Sequence, residues 1–156
     1  MTIAIARRER RCWEDRMTMP ARPERVFPLL CPVREFDWIP HWTCEMIHSE
    51  SGVAEDGCVF QTDFPWDGRM TWVVSVYEPP ERIEFTCVAP DLMVMRLKIR
   101  LEPDGADRTT IHWRREFLSL TEAGDRHLEE TKTDAAHGEM MERLERLLRE
   151  YLVRTA

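Results

Sequence analysis

The run Leu92-Met93-Val94-Met95-Arg96-Leu97-Lys98-Ile99-Arg100-Leu101 decides how the middle of the chain is read. Met93, Met95, Leu97, Ile99 and Leu101 recur at every second position, with Val94, Arg96, Lys98 and Arg100 between them. Successive side chains of a strand point to opposite faces, so this is a half-buried strand with one wet face, as antiparallel sheets require. The same period extends in both directions. Toward the N-terminus it places Ile83, Phe85 and Cys87 inward, then Met70, Trp72, Val74 and Val76, then Phe60, Thr62 and Phe64. Toward the C-terminus it puts Thr109, Ile111, Trp113, Arg115 and Phe117 on one face, opposite Thr110, His112, Arg114 and Glu116. A slip of one residue would expose a Trp and bury three polar groups, so the hydrophobic set holds that register.

Turn residues separate the runs. Gly52 to Gly57, Pro65-Trp66-Asp67-Gly68, Glu78-Pro79-Pro80-Glu81, Ala89-Pro90-Asp91 and Pro103-Asp104-Gly105 all supply turn dihedrals or stop a ladder. The strands between them are expected at Trp42–His48, Cys58–Phe64, Met70–Tyr77, Arg82–Val88, Leu92–Leu101 and Arg108–Leu118, an antiparallel meander. A further strand is expected at Arg11–Met19, closed by Pro20 and Pro23. Two short helical pieces follow it: Pro23 to Leu30, kept short by Pro28 and Pro32, and a turn over Glu35 to Pro40. From Thr121 to Arg154 the period turns helical, with Met140/Met141, Leu144, Leu147/Leu148 and Tyr151/Leu152 on one face and Glu-to-Arg pairs four residues apart on the other. The first half of that segment is poor in large apolar residues, Leu128 being its one large aliphatic.

Composition bounds the rest. The 156 residues carry 22 Lys+Arg against 29 Asp+Glu, a formal charge of −7, and 43% are hydrophobic. A chain of this size forms one domain, residues 1–156, with a core that needs neither disulfides nor metal. The acidic balance argues against nucleic acid and anionic membrane surfaces as partners. No stretch approaches the ~20 apolar residues of a membrane span. The basic run Arg7, Arg8, Arg10, Arg11 follows rather than precedes the apolar N-terminus, the reverse of a secretory signal, so a cytoplasmic location is expected. Cys12, Cys31, Cys44, Cys58 and Cys87 show no CxxC spacing and read as reduced thiols.

Three local motifs carry a resemblance to a known superfamily. They are Pro20-Ala21-Arg22-Pro23-Glu24-Arg25-Val26-Phe27 at the start of the first helix, Trp38-Ile39-Pro40-His41-Trp42 ahead of the second strand, and Val76-Tyr77-Glu78-Pro79-Pro80-Glu81-Arg82-Ile83 at a meander turn. With the order of elements, they make the chain resemble the START-like, or SRPBCC, superfamily, which includes Bet v 1, polyketide cyclases and dehydratases, and Hsp90-activator-like domains. The resemblance implies an α+β helix-grip fold: a curved antiparallel sheet of about seven strands, two short helices after the first strand, and a long C-terminal helix over the sheet. It also implies a hydrophobic cavity between sheet and helix.

The candidate ligand-binding residues are those whose register points inward: Trp42, Phe60, Trp72, Phe85, Met95, Trp113 and Arg115. Large apolar side chains on an inward face equally make an ordinary core. Arg115 is the sharper signal, because an inward arginine must be paired, have its head reach a cavity mouth, or meet an anionic group. Glu35, Asp37 and Glu45 could supply a general acid or base if they face the cavity, and otherwise are solvated loop charges. No metal-ligand spacing, nucleophile elbow or phosphate-binding glycine loop occurs, so neither metal nor cofactor is expected. The expected function is binding of a hydrophobic small molecule or lipid. The alternatives are a polyketide cyclase/dehydratase-like enzyme using the same cavity, and an Hsp90-activator-like interaction module with Trp66 as its exposed aromatic. Oligomeric state is open, a homodimer included.

Overall fold

The computed structural model describes residues 1–156. Seven antiparallel strands form one sheet: β1 (Arg10–Met19), β2 (Glu45–His48), β3 (Val59–Phe64), β4 (Gly68–Glu78), β5 (Arg82–Ala89), β6 (Met93–Pro103) and β7 (Thr109–Ser119). Their spatial order is β1-β7-β6-β5-β4-β3-β2, so the meander runs from β2 to β7 and the first strand returns to pair with the last. Between β1 and β2 lie the single helical turn α1 (Pro23–Val26) and 3₁₀ turns at Phe27–Leu30 and Arg34–Asp37. Pro23 sits in the first turn of α1, where a missing N–H costs nothing. Phe27, Leu29 and Leu30 are buried, so this short connection seals one end of the sheet.

The alternation predicted for β6 holds residue by residue, with Met93, Met95, Leu97, Ile99 and Leu101 all buried. Lateral pairing then aligns inward side chains into rows across the sheet. Phe60, Trp72, Cys87, Met95 and Phe117 follow one another from β3 to β7. The next row runs Val74, Phe85, Leu97, Arg115 and Trp13, and the one beyond it includes Ile83, Ile99, Trp113 and Asp15. A register shift between Val74 and Val76 breaks the predicted alternation on β4. Val76 is therefore only half-buried, and Tyr77 packs its ring 5.7 Å from Phe27.

Two expectations are corrected. The strand expected to begin at Trp42 begins at Glu45, because Trp42 turns its indole N–H to the Pro32 carbonyl (2.8 Å) and lies in the connection. The single C-terminal helix is two, α2 (Glu122–Thr131) and α3 (Asp134–Arg154). Each has its own cap: the Thr121 hydroxyl accepts from the Gly124 N–H, and the Thr133 hydroxyl from the Ala136 N–H. Lys132 leaves the helical region between them, at φ −105° and ψ 63°. Glycine is required at 124, since a Cβ there would stand 2.0 Å from the Leu92 carbonyl oxygen. This close approach locks α2 against the β5–β6 turn.

The long helix α3 turns His137, Met141, Leu148 and Leu152 into the structure. Of the expected Glu-to-Arg pairs its outer face carries Glu145 with Arg149 (2.8 Å), while Arg146 pairs forward with Glu150 (3.3 Å) rather than back with Glu142, and Arg149 also donates to the Thr18 carbonyl on β1. The five cysteines are free: Cys31, Cys58 and Cys87 are buried, Cys44 is half-buried and Cys12 is exposed. No helix is long and apolar enough to cross a membrane. A curved seven-stranded sheet gripping a C-terminal helix is the helix-grip fold.

Candidate functional site

Arg115 sits on the inward face of β7, where the alternation that buries Ile111, Trp113 and Phe117 carries it along. It is only 9% exposed. A buried guanidinium ordinarily finds carboxylates or carbonyls for its five N–H groups. Here Nη1 reaches the Met140 sulfur on α3 (2.9 Å), a weak acceptor, and Nε has no partner. The guanidinium carbon lies 5.7 Å from the centre of the Trp113 ring. The Trp113 indole N–H is likewise buried and unpartnered. Burial pulls the Arg115 pKa down to about 10, against the pull of Asp15 and Glu35, and it stays cationic at neutral pH.

Around this cation the fold sets two acidic groups that do not touch it. Asp15, on the inward face of β1, accepts a hydrogen bond from His137 Nε2 of α3 (2.6 Å). His137 in turn stacks on Trp13 at 4.5 Å and 8°, and Trp13 donates its indole N–H to Asp134 (2.8 Å). These contacts dock the start of α3 on the edge strand. Glu35 comes from the 3₁₀ turn at Arg34–Asp37. Its carboxyl is desolvated, and with only the attraction of Arg115 favouring the charged form, its pKa is pushed up to about 8. It is thus a neutral acid at pH 7. The two other acidic groups considered beside it are surface charges: Asp37 pairs with Arg34 at 2.6 Å, and Glu45 lies 4.0 Å from Arg69 with its side chain mostly exposed.

The aromatic candidates divide. Phe60 and Trp72 stack at 5.6 Å, Phe85 meets both edge-on, and Trp72 donates its N–H to the Thr62 hydroxyl (2.9 Å). Met95 is buried in the same row as Phe60 and Trp72. These four lie in the core cluster with Trp113. Trp42 does not join them; its ring tilts against Phe64 at 5.5 Å. Phe64 also stacks on Trp66 at 5.1 Å, which leaves Trp66 58% exposed at the turn where exposure was expected.

Two concave spaces stand elsewhere on the molecule. A groove of about 390 Å³ lies on the outer face of the sheet among Glu14, Arg82, Lys98, Arg100, His112 and Arg114, and one of about 270 Å³ lies between Phe36–Pro40 and α3. No cluster of His, Cys, Asp and Glu is arranged to hold a metal ion.

At the far end of the inward face is a buried ionic cluster that sequence reasoning missed. Asp67, at the β3–β4 turn, accepts from Lys132 Nζ with both oxygens (2.7 and 2.9 Å) and from His127 Nε2 (2.8 Å). The Lys132 ammonium also stands 5.4 Å from the Phe117 ring centre. Lys132 is the residue at which the C-terminal helix breaks, so the break is where the sheet's turn and the helix pair are tied together. Thr133-Asp134 directly after it is a readable N-cap signal for a second helix.

This architecture defines the class: a Bet v 1-like fold of the SRPBCC superfamily, with a polar constellation set into an apolar concave face. Residues 11–151 match the family described as polyketide cyclase / dehydrase and lipid transport, and the chain belongs to it. No curated protein matches the chain by sequence. Among solved structures it is similar to norcoclaurine synthase from Thalictrum flavum in complex with dopamine and hydroxybenzaldehyde, at 13% identity and a TM-score of 0.62, covering 96% of each chain. It is also similar to Ara h 8.0201, at 16% identity and a TM-score of 0.66, covering 94% of this chain and 99% of that one. A protein from Arthrobacter aurescens is 20% identical with a TM-score of 0.61, over 89% of this chain and 86% of that one. At such identities the likeness is one of fold.

Proposed function

We propose that the protein binds a hydrophobic small molecule or lipid between the concave face of the sheet and α3, with the anionic end of the ligand at Arg115. The observation that carries this reading is the state of Arg115: a buried cation on an apolar face whose one hydrogen bond goes to a thioether. Leaving a buried guanidinium without an oxygen partner is costly, and a ligand carboxylate would supply the bidentate acceptor it lacks. Phe60, Trp72, Phe85, Met95 and Trp113 supply the apolar wall beside it, and adaptable thioethers at Met95 and Met140 can yield space. Trp42 belongs to the rim rather than the wall. Membership of a family described by lipid transport supports hydrophobic cargo. The test is native mass spectrometry of the purified protein, followed by solvent extraction and identification of what is released. Recovery of an amphiphilic anion, absent from an Arg115→Met preparation, is the expected result. Recovery of nothing from either, with no uptake of added fatty acid, refutes the reading.

A second reading is an enzyme of the cyclase or dehydratase kind. Its favouring observation is Glu35, whose carboxyl burial pushes up to about 8 against the attraction of Arg115, so that it would serve as a proton-transferring group with Arg115 as the oxyanion partner. The norcoclaurine synthase structure, which has the same fold, is in complex with two small aromatic molecules, dopamine and hydroxybenzaldehyde. Turnover of an aromatic or polyketide-like substrate that is lost in Glu35→Gln while binding persists would establish it.

A further inference from the structure

The outer face of the sheet carries a trough built by the register of its strands. Outward side chains align across β5, β6, β7 and β1 in rows: Arg82, Arg100, His112 and Arg16 form one, and Glu84, Lys98, Arg114 and Glu14 the next. Between them runs the row of Ile99, Trp113 and Asp15, whose side chains point inward and whose backbone floors the trough. Rows two residues apart stand about 7 Å from each other, and four adjacent strands span about 14 Å. This is the groove of about 390 Å³ on that face.

Elsewhere on the face, opposed side chains are complementary: Arg96 meets Glu116 (3.6 Å), and Arg114 meets Glu14. In the middle of the trough they are not. Lys98 stands directly opposite Arg114, and Arg100 opposite Arg82, with His112 on its other side. Like charges directly opposed across a ladder are destabilising. The carboxylates that offset them are shared or exposed: Glu102 serves both Arg100 (3.5 Å) and His112 (3.0 Å), Glu78 serves Arg82 (2.9 Å), and Glu14 and Glu116 serve Arg114. Those pairs leave Nη2 of Arg100 and of Arg114 unengaged. Lys98, half-buried at the centre, forms no ion pair, not even with Glu84 opposite it on β5. An anion seated over that floor would relieve the repulsion and take up the unused donors. Glu84 and Glu14 close the two ends of their row, so positive charge is confined to the middle.

We propose that the middle of this trough binds a compact, multiply charged oxyanion, a diphosphate or a pair of neighbouring phosphomonoesters on a soluble small molecule, held by Lys98 and Arg100 of β6 and Arg114 of β7, with His112 beside them. Ammonium and guanidinium groups make charge-assisted hydrogen bonds to phosphate oxygens, and arginine can engage two at once. A single negative charge would leave part of the repulsion standing. A long polyanion such as a nucleic acid strand would run past the middle and set its phosphates against Glu84 and Glu14. The chain's formal charge of −7 conceals this patch, because composition counts charges and only the register gathers these donors in one place. The site lies on the face opposite Arg115 and is independent of what the concave face binds.

Isothermal titration calorimetry of the full chain, in low-salt buffer at pH 7, tests this with three probes: inorganic pyrophosphate, orthophosphate and the oligonucleotide decathymidylate. Pyrophosphate is expected to bind about tenfold more tightly than orthophosphate and more tightly than decathymidylate, and to weaken as salt is added, since exposed charges are screened. Lys98→Gln and Arg100→Gln should each lose about tenfold in pyrophosphate affinity. Arg96→Gln, which removes the same charge from the next outward position of β6, should stay within about threefold of wild type. These side chains all lie on the outer face of the sheet, so the variants should fold, and circular dichroism checks that they do. No pyrophosphate binding at millimolar concentration, equal losses in Arg96→Gln and Lys98→Gln, or tighter binding of decathymidylate than of pyrophosphate overturns the inference. So does binding to vesicles containing phosphatidylinositol 4,5-bisphosphate without binding of pyrophosphate, which would mark a lipid surface as the partner.

Discussion

Replacing Glu35 with Gln should stabilise the protein in alkali and leave it nearly unchanged in acid. The reason is the location of the carboxyl, which is desolvated and unpaired in the folded state and free in water in the unfolded one. Its pKa rises from 4.5 to about 8 on folding. Between those two values the folded protein holds a proton that the unfolded chain has given up, so stability falls as pH rises through that window and levels off above about 8. At about 1.36 kcal/mol per pH unit, the wild type at pH 9 should carry a penalty of about 3–5 kcal/mol that Gln removes. At pH 5, only half a unit above the unfolded value of 4.5, little of that penalty has yet accrued, and the difference should be within about 1 kcal/mol. Urea denaturation of wild type and Glu35→Gln at pH 5 and pH 9 measures this, and the comparison cancels every group the two proteins share. An equal difference at both pH values would show that the carboxyl is hydrated in the folded protein. It would then be neither a neutral donor nor an internal acid.

The other predictions concern packing and charge. Trp113→Ala should cost about 3–5 kcal/mol in chemical denaturation, since it removes a side chain only 5% exposed from the inward face; a loss under about 1 kcal/mol would contradict the register. Asp67→Asn should cost about 3–5 kcal/mol by leaving the Lys132 ammonium buried without its counter-charge, and adding Lys132→Met should recover much of it in a double-mutant cycle. Asp125, drawn down to about 2 by the Glu9 N–H, then Ser119 and Arg8, supports folding at pH values above 3.8 and loses that support as pH falls through about 2. The stability gap between wild type and Asp125→Asn should therefore close over that acid range in a pH series of melts. Arg146→Gln should cost under about 1 kcal/mol, its pair with Glu150 being more than half exposed on both sides.

Much of the fold was legible in the sequence because a strand's period is local. Each of Met93, Met95, Leu97, Ile99 and Leu101 reports its face through its neighbours two positions away, and pleating enforces that report. The same logic carried Arg115 to the inner face from sequence alone, since Ile111, Trp113 and Phe117 hold the strand's register whatever occupies position 115. Alternation failed where the backbone gained a residue, at the Val74–Val76 shift, and where a distant group claimed the chain. Asp67, 65 positions away in sequence, binds Lys132 and fixes the point at which an apparently continuous helical pattern breaks. Asp15 and His137 meet across 122 positions, and nothing in either local pattern announces it. Glu35 is the sharpest case. On a short polar turn it reads like Asp37 beside it, and only the placement of that turn against Arg115, Cys31 and Cys44 separates a desolvated acid from a surface charge. Period and hydrophobic pattern determine which face a side chain takes. What it meets there depends on how elements far apart in sequence close over it, and burial and charge act on that distance alone.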